Sequence, residues 1–371
     1  MLQGEFDRDR MVFSPLKERK NLIDIEQSFV GEKACETIPI PKDLQEKADV
    51  IARQIMRAKA SHASVMCTFG AHTIKNGLGP LLSDFIEKDW FTHLATNGAG
   101  IIHDWEFAYQ GSSSEDVREN VKVGQFGTWE ETGSYLNLAL IVGAYEGRGY
   151  GESVGSMLNS KGLHIPELSE LYSVINNHED LWKRSAGIDL LETMQHFSIP
   201  SGFLSIPHKD LAFSAQLAAF THDVPFTGHP MFGHDIIYTH KMNKGSSIGR
   251  TAERDFLKFV QSVSHLEKGV YLSVGSAVMS PMIFEKALSM ARNVALQEGR
   301  EISDCTIVVV DLMENSWDWS QGEPPKENPA YYQRFMKTFS RMGCNTSYIC
   351  ADNRLFLCAL HQALKRIEAV Q

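Results

Sequence analysis

The chain has 371 residues, 43% hydrophobic and 22% charged, which is typical of a globular protein with one large domain or two smaller ones. Its 46 acidic side chains outnumber the 36 basic ones, and the net charge of −10 argues against a nucleic-acid partner. No apolar run reaches the roughly 18 residues of a membrane span, and the charged N-terminus does not resemble a signal peptide. The six cysteines form no CxxC pair. We therefore expect a cytoplasmic protein with buried thiols, no disulfide framework and no membrane contact.

The order of apolar patterns predicts alternating strands and helices. Residues 1–42 are expected to form an extended N-terminal arm, and helical periodicity begins near Asp43. Apolar runs predict strands at 63–71, 91–96, 224–228, 269–275, 305–313 and 346–352. Helical patterns lie at 73–88, 130–147, 187–197, 210–223, 254–266, 280–299, 329–343 and 355–370. Residues 112–160 otherwise read as irregular and glycine-rich.

Several of these strands are apolar along their whole length, which predicts a parallel sheet covered on both faces. Right-handed crossovers then give the fold class α/β, with a doubly wound, mainly parallel sheet and helices on both faces. We expect a single α/β domain over residues 43–371, with an insertion around residues 112–200.

Small and polar residues follow four of the predicted strands at the point where each one ends. These strand ends are Gly70–His72, Thr96–His103, Gly275–Ala277 and Ala351–Asp352. Free N–H groups at a helix start attract anions, and an acid at a strand end can accept both hydroxyls of a ribose. The pattern predicts a nucleotide site at one edge of the sheet, although the chain has no GxGxxG fingerprint. The alternative is a set of tight turns without a ligand.

A histidine-rich segment follows the predicted strand at 224–228. It contains His229, His234, Asp235 and His240. Three histidines and a carboxylate could bind a metal ion, but their spacing fits neither HExxH nor a zinc finger. The other interpretation is a polar loop that presents His234 and Asp235 to a substrate.

Carboxylates alternate with aromatic side chains after the predicted strand at 305–313. The set is Asp311, Glu314, Trp317, Asp318, Trp319, Glu323, Glu327, Tyr331 and Tyr332. Carboxylates pair with ammonium groups and aromatic faces attract cations, so this pattern suits a polyamine pocket. The alternative is an exposed acidic loop that its two tryptophans hold against the fold.

Residues 60–371 resemble the deoxyhypusine synthase family, mainly in the order of these turns. Segment 70–108 is similar to the family segment with a TTAGG…D turn, and "DVPFTGHPMFGHDIIYTH" to its IPV…DG…GD strand and loop. "VYLSVGSAV" and "YICADNRLFL" are similar to its Gly-rich turn and its late ADAS strand end. The resemblance implies an NAD-binding parallel-sheet fold and a homotetramer with active sites at subunit interfaces.

The resemblance also assigns residues, and two family positions differ here. By position, the NAD-lining residues would be His72, Asn76, Thr96, Asn97, Gly98, His103, Gly275, Ser276 and Asp352. The family oxidises spermidine with NAD and captures the aminobutyl group on a lysine as an imine. That lysine position holds Gln333 or Arg334, and arginine stays protonated and forms no imine. The family histidine after the Gly-rich turn is replaced by Ser280 or Pro281, and Lys337 lies one helical turn beyond Arg334.

Three functional hypotheses result. The first is an NAD-dependent transferase or dehydrogenase that acts on a cationic, polyamine-like amine without the lysine-imine step. Its catalytic residues would be His234, His103 and Asp235, and its substrate-binding residues Asp318, Glu327, Trp317 and Tyr332. The second is a non-catalytic NAD-binding or assembly protein. The third is metal-assisted hydrolysis by the histidine cluster at 229–240.

Overall fold

The computed structural model describes residue 4 and residues 6–177, 179–315 and 317–370. The strands are β1 (Ile23–Asp24), β2 (Val65–Phe69), β3 (His93–Thr96), β4 (Ser112–Ser113), β5 (Gly162–Ile165), β6 (Gly202–Ser205), β7 (Phe226–Gly228), β8 (Val270–Val274), β9 (Thr306–Asp311) and β10 (Asn345–Cys350). Short 3₁₀ turns lie at Arg8–Arg10, Leu16–Glu18, Leu211–Phe213, Ile236–Thr239, Trp319–Gln321 and Pro329–Tyr332.

The α-helices lie before, between and after the strands. They are α1 (Ile25–Ser28), α2 (Glu32–Thr37), α3 (Lys42–Ala60), α4 (Ala71–Lys75), α5 (Gly79–Glu87), α6 (Gly98–Gln110), α7 (Val117–Lys122), α8 (Glu130–Glu146), α9 (Tyr150–Ser160), α10 (Leu168–Asn177), α11 (Leu181–His196), α12 (Ala215–Thr221), α13 (Gly245–Ser264), α14 (Met279–Gln297), α15 (Arg334–Ser340) and α16 (Asn353–Glu368). Within the described ranges, no helix combines the length and apolarity needed to cross a bilayer.

Six strands form the central sheet in the order β10-β9-β8-β2-β3-β7, and every neighbouring pair is parallel. Counted along the chain, this order is 6-5-4-1-2-3, so the direction of winding reverses between β2 and β8. Two small antiparallel pairs, β1 with β4 and β5 with β6, lie outside this sheet. The predicted doubly wound, parallel α/β class is confirmed.

Both faces of the sheet are buried, which explains why its strands read as continuous apolar runs. Alternate residues along a strand enter two different cores: Val270, Leu272 and Val274 join one, and Tyr271 joins the other. Helices α3 and α16 contribute to the first core, and α13, α14 and α15 contribute to the second. Each of the six predicted strand runs overlaps a strand of the central sheet.

The helix predicted at 73–88 is divided into α4 and α5. Gly77, between them, adopts a left-handed φ of 77°, and its carbonyl accepts a hydrogen bond from Val30 N. A Cβ at Gly77 would lie 2.2 Å from the carbonyl oxygen of Ser28. The break therefore arises from close packing of the N-terminal segment, a contact that helical periodicity does not reveal.

Residues 112–160 are more regular than the sequence analysis predicts, because α7, α8 and α9 occupy much of this range. Their glycines serve helix packing rather than loops. A Cβ at Gly151 would lie 2.0 Å from the carbonyl oxygen of Phe226, and one at Gly143 would lie 1.9 Å from Ser153 Oγ. Helix α8 is buried on nearly all sides, so it lacks the two-faced pattern of a surface helix.

The described part of the predicted N-terminal arm packs against its own chain instead of extending from it. Leu16, Ile25, Val30 and Cys35 are all buried in the first core. The segment contains α1, α2 and β1, and β1 pairs with β4. Short amphipathic pieces of this kind give a weak periodic signal, which is why the sequence alone suggested an extended arm.

The cysteine prediction is only partly right. Cys35, Cys67 and Cys358 are buried free thiols, as expected, but Cys350 is exposed. Cys305 and Cys344 form a disulfide, contrary to the prediction of none. These two residues precede β9 and β10, and the pairing of those strands brings them together across 39 residues of chain.

Candidate functional site

The carboxyl edge of the sheet forms a crevice at the point where the winding reverses. Gly70 follows β2 and Gly275 follows β8, the two strands on either side of this switch point. A Cβ at Gly70 would lie 2.1 Å from the carbonyl oxygen of Gly275. Gly275 itself has a left-handed φ of 58°. The two glycines therefore let the strand ends approach each other closely, in the place where open α/β sheets bind ligands.

A cavity of about 250 Å³ opens on the β8–β10 side of the switch point, and we call it the sheet-end cavity. Its polar lining comes from His72 in α4 and Asn76 at its C-terminal end, Asp311 at the end of β9, and Asp352 and Asn353 at the start of α16. Gly275 completes the wall. Four residues that the resemblance assigned to NAD thus meet in one cavity: His72, Asn76, Gly275 and Asp352.

Two carboxylates of this cavity also hold local structure. Asp352 is the N-cap of α16, and its Oδ1 accepts hydrogen bonds from the N–H groups of Arg354 and Leu355. Asp311 Oδ1 accepts one from Met313 N. Among the described residues, the Oδ2 atom of neither carboxylate has a hydrogen-bond partner. Each acid therefore retains an oxygen that could accept a ligand hydroxyl.

The other residues assigned to NAD hold the turns rather than line the sheet-end cavity. Thr96 is buried, and its hydroxyl donates to the carbonyl of Phe69. Asn97 caps α6 by accepting a hydrogen bond from Gly100 N. Ser276 Oγ accepts one from Ser280 N at the start of α14. Their side chains explain why the turns form but do not themselves reach the cavity.

A second cavity, of about 180 Å³, is also lined by a residue of α4, and we call it the histidine cavity. His103 and the neighbouring pair His234 and Asp235 all line it. The three residues predicted to be catalytic therefore come together, although His103 and His234 are far apart in sequence. Lys75 of α4 and Arg19 of the N-terminal segment also reach this cavity.

The carboxyl group of Asp235 packs closely against the first residue of α6, Gly98. A Cβ at Gly98 would lie 2.0 Å from Asp235 Oδ2, so any side chain there would displace the Asp235 carboxyl group. Asp235 Oδ1 accepts a hydrogen bond from Ile237 N. Burial raises the pKa of Asp235 to about 7, and this hydrogen bond opposes the rise only in part. The carboxyl group is therefore able to hold or release a proton near neutral pH.

This raised pKa makes folding stability depend on pH. Native Asp235 keeps a proton that the unfolded chain releases above its ordinary pKa of about 4, so the native state binds more protons between about pH 4 and 7. The contribution of Asp235 to the free energy of unfolding must fall as the pH rises through that window. We expect Asp235→Asn to gain stability relative to the wild type between these pH values and to show a constant difference above pH 8.

Urea denaturation at a series of pH values measures this difference. The matched control is Asp223→Asn, which makes the same chemical change at an exposed aspartate. A constant difference for Asp235→Asn would show that Asp235 ionises normally in the folded chain.

His103 belongs to a buried polar chain. Its Nδ1 lies 2.7 Å from Ser113 Oγ, and Ser113 Oγ donates to Glu106 Oε2 at 2.5 Å. Glu106 in turn forms a bidentate ion pair with Arg19, in which the two guanidinium nitrogens lie 2.8 and 2.7 Å from the two carboxylate oxygens. Burial opposes ionisation of Glu106, but Arg19 outweighs it and the pKa of Glu106 is lowered. Burial lowers the pKa of His103 to about 4, so its ring is neutral at pH 7.

The four predicted substrate residues of the acidic and aromatic segment either contact their own loop or face solvent. Asp318 accepts hydrogen bonds from Ser320 and Gln321 of its own loop, and Glu327 is exposed. Tyr332 is 73% exposed, and Trp317 packs against the second core and donates to a carbonyl of the same loop. The interpretation as an acidic loop that its tryptophans hold against the fold describes this segment better.

Lys337 cannot replace the missing family lysine in its present position. Its ammonium group pairs with Glu323 at 2.8 Å and lies 3.4 Å from the ring centre of Tyr331. The hydrogen bond to Glu323 raises the pKa of Lys337. A nucleophilic lysine needs the opposite shift, because only the neutral amine attacks a carbonyl or imine.

The histidine-rich segment does not assemble a metal site. His229 is buried and hydrogen-bonded to the Thr227 hydroxyl. His240 accepts a hydrogen bond from Met242 N, and His234 is exposed. Within the described residues, the group that could hold a metal ion lies elsewhere, at Glu32, Asp84 and His361. Lysines already pair with both of those carboxylates, since Lys365 contacts Glu32 and Lys88 contacts Asp84. The structure thus removes the basis for the metal-hydrolase hypothesis.

Sequence reasoning missed several residues of the two cavities. The predicted site left out Arg19, Lys75, Glu106 and Asn353 of the two cavities, and Ser113 beside them. Asp311 was named, but as part of the acidic and aromatic set. Glu106 was visible as an acid three residues after His103 on one helix, the spacing that places side chains on one face. Arg19 gave no comparable signal, because its partner lies 87 residues away in the chain.

No family model and no curated protein sequence matches this chain. Among solved structures, AgrE in a ternary complex with ornithine and NAD+ has 14% identity over 90% of this chain and a TM-score of 0.44; the match covers 35% of AgrE. A "putative LOR/SDH protein" from Methanococcus maripaludis S2 has 14% identity over 89% of this chain and 72% of its own, at a TM-score of 0.43. A "putative deoxyhypusine synthase" from Entamoeba histolytica has 10% identity over 93% and 96%, at 0.40. The structural relationship is distant, and the chain spans only about a third of AgrE.

Proposed function

We propose that this chain binds NAD at the switch-point crevice and acts on a small amine in the adjacent histidine cavity, as a dehydrogenase or transferase without a lysine imine. The observation that carries the proposal is the strand order 6-5-4-1-2-3, with two cavities that residues of α4 help to line. Sheets with this order bind dinucleotides across the crevice at the switch point.

The residues of the sheet-end cavity fit a nucleotide. Asp311 and Asp352 stand at the ends of neighbouring strands, each with an oxygen that could accept a ribose hydroxyl. The close approach of Gly70 and Gly275 leaves the backbone of both turns near the crevice. NAD, when bound, would supply the capacity to accept a hydride.

The histidine cavity supplies a proton acceptor and a negative charge for an amine. A neutral His103 can take a proton from a substrate ammonium group, and an Asp235 carboxylate can attract the same cation. The predicted acids Asp318 and Glu327 have no part in this version of the proposal. A polyamine remains the substrate class to test first, whereas the homotetramer and the cytoplasmic location remain predictions.

Binding is tested by the melting temperature of the protein with excess NAD, since a ligand of the folded state must raise it. Asp352→Asn is the informative variant, because asparagine caps a helix as well as aspartate does but carries no charge. We expect it to weaken NAD binding about tenfold or more, since a hydrogen bond to a charged group contributes about 1.5–3 kcal/mol. Asp180→Asn, at the N-cap of α11, should leave the affinity unchanged.

Catalysis is tested separately by adding spermidine to the protein with NAD and following the absorbance of the reduced cofactor. New absorbance would support the enzyme. Binding without absorbance would support the alternative of a non-catalytic NAD-binding protein. The ion pair between Lys337 and Glu323 favours that alternative, because it keeps this lysine from acting as a nucleophile. An unchanged melting temperature with NAD would overturn both versions.

A further inference from the structure

The polar chain behind His103 has an unambiguous direction, and it starts from the carboxylate of Glu106. Arg19 donates to both oxygens of Glu106, and Thr132 Oγ1 donates to Oε1 at 2.8 Å. Arg19 is 5% exposed and Glu106 1% exposed, so water does not compete for these contacts. An ionised carboxylate only accepts hydrogen bonds. The pairing with Arg19 keeps Glu106 in that ionised form.

Ser113 transmits this direction to His103. A serine hydroxyl has one hydrogen, and the 2.5 Å contact commits it to Glu106 Oε2. Ser113 Oγ can then only accept from its other partner, His103 Nδ1, at 2.7 Å. The hydrogen of a neutral His103 ring must therefore be on Nδ1. Ser113 is fully buried, which leaves no solvent molecule to reverse the order.

We infer that Arg19, Glu106 and Ser113 are positioning residues that hold His103 as the Nδ1–H tautomer and leave its Nε2 as the proton acceptor of the histidine cavity. The inference deepens the proposed function, because it names the atom that would take the substrate proton. The same reasoning distinguishes His103 from His234, which is exposed and whose ring forms no hydrogen bond with any other side chain in the described part of the chain.

The base would act on a substrate N–H or O–H proton. That proton would move from the substrate to Nε2, its bonding pair would remain on the substrate nitrogen or oxygen, and His103 would become a cation. Glu106, which the Ser113 hydroxyl links to His103, would then stabilise the imidazolium. Because Arg19 belongs to residues 1–42, the N-terminal segment contributes to the site of its own chain.

The tautomer is directly measurable by nitrogen-15 NMR of the histidine rings in the full chain, without NAD or amine. His103→Asn identifies the His103 signals among the 14 histidines. At pH 7 we expect a neutral ring with the proton on Nδ1. Ser113→Ala should remove this preference and return His103 to a mixture in which Nε2–H is populated, while Ser113→Thr should restore it.

Thr132→Val is the matched control, since it removes another hydroxyl from Glu106 without touching the path to His103. The tautomer should be unchanged in this variant. A wild-type ring that is charged at pH 7, or protonated on Nε2, would overturn the inference, as would a Ser113→Ala ring that keeps the wild-type pattern. If Ser113→Ala does not fold, the wild-type spectrum alone decides. Absence of NAD binding would leave this result intact, so the two proposals fail independently.

Discussion

Replacing Arg19 with methionine is expected to destabilise the fold by about 3–5 kcal/mol, the usual cost of removing one partner from a buried ion pair. The guanidinium group donates twice to Glu106, and both side chains are almost fully buried. Methionine would fill much of the volume but would leave the Glu106 charge with only the hydroxyls of Ser113 and Thr132. The penalty comes from this uncompensated buried charge more than from the lost attraction.

Urea denaturation followed by circular dichroism measures the loss. The matched control is Arg300→Met, because Arg300 pairs with Glu298 where both side chains are 53% exposed. It should cost no more than about 1 kcal/mol, as exposed ion pairs do. Adding Glu106→Gln to Arg19→Met should recover part of the loss, since the double variant has no unpaired charge. If Arg19→Met and Arg300→Met lost the same amount of stability, the result would contradict the buried pairing of Arg19 with Glu106.

Gly70→Ala is expected to destabilise the chain by about 1–3 kcal/mol or more, as overpacking of a rigid site does. Gly70 has φ −80° and ψ 160°, a conformation that any residue adopts, so backbone strain is not the cause. The new methyl group would lie 2.1 Å from the carbonyl oxygen of Gly275, a backbone atom that cannot move aside on its own. The strands at the switch point would have to separate, so NAD binding should weaken in parallel.

Gly249→Ala offers the same chemical change with the opposite expected sign. Gly249 lies inside α13, and no atom lies within 4 Å of a Cβ built there. Alanine should therefore stabilise the chain by about 0.5–1 kcal/mol through its better helix propensity. Thermal denaturation of the two variants compares them directly. A neutral Gly70→Ala would show that the crevice is looser than the structure has it.

Whether a predicted site residue lies in a cavity depended on how much long-range information its prediction needed. His72, Asn76, Gly275 and Asp352 meet because they lie in the segments that follow parallel strands, and the carboxyl ends of parallel strands share one edge. The substrate set was predicted from composition alone. Asp318 shows the difficulty, since a carboxylate near a tryptophan can equally well cap its own loop.

The sequence by itself determined which segments are strands and helices of the central fold. Apolar periodicity is a local property, and a strand buried on both faces shows it in a handful of residues. It also determined that small and polar residues follow the strands, as at Gly98 and Gly275. The fold class follows from this alternation because parallel strands need helical crossovers.

Only the tertiary structure decided which of these features become neighbours. The order of strands places Gly70 against Gly275, and packing of the N-terminal segment brings Arg19 to Glu106 across 87 residues. Such contacts are selected by the free energy of the whole packed chain, through burial, charge pairing and close approach of backbones, and no local pattern encodes them. The strand ends were therefore visible in the sequence, whereas the buried chain from Arg19 to His103 became visible only in the fold.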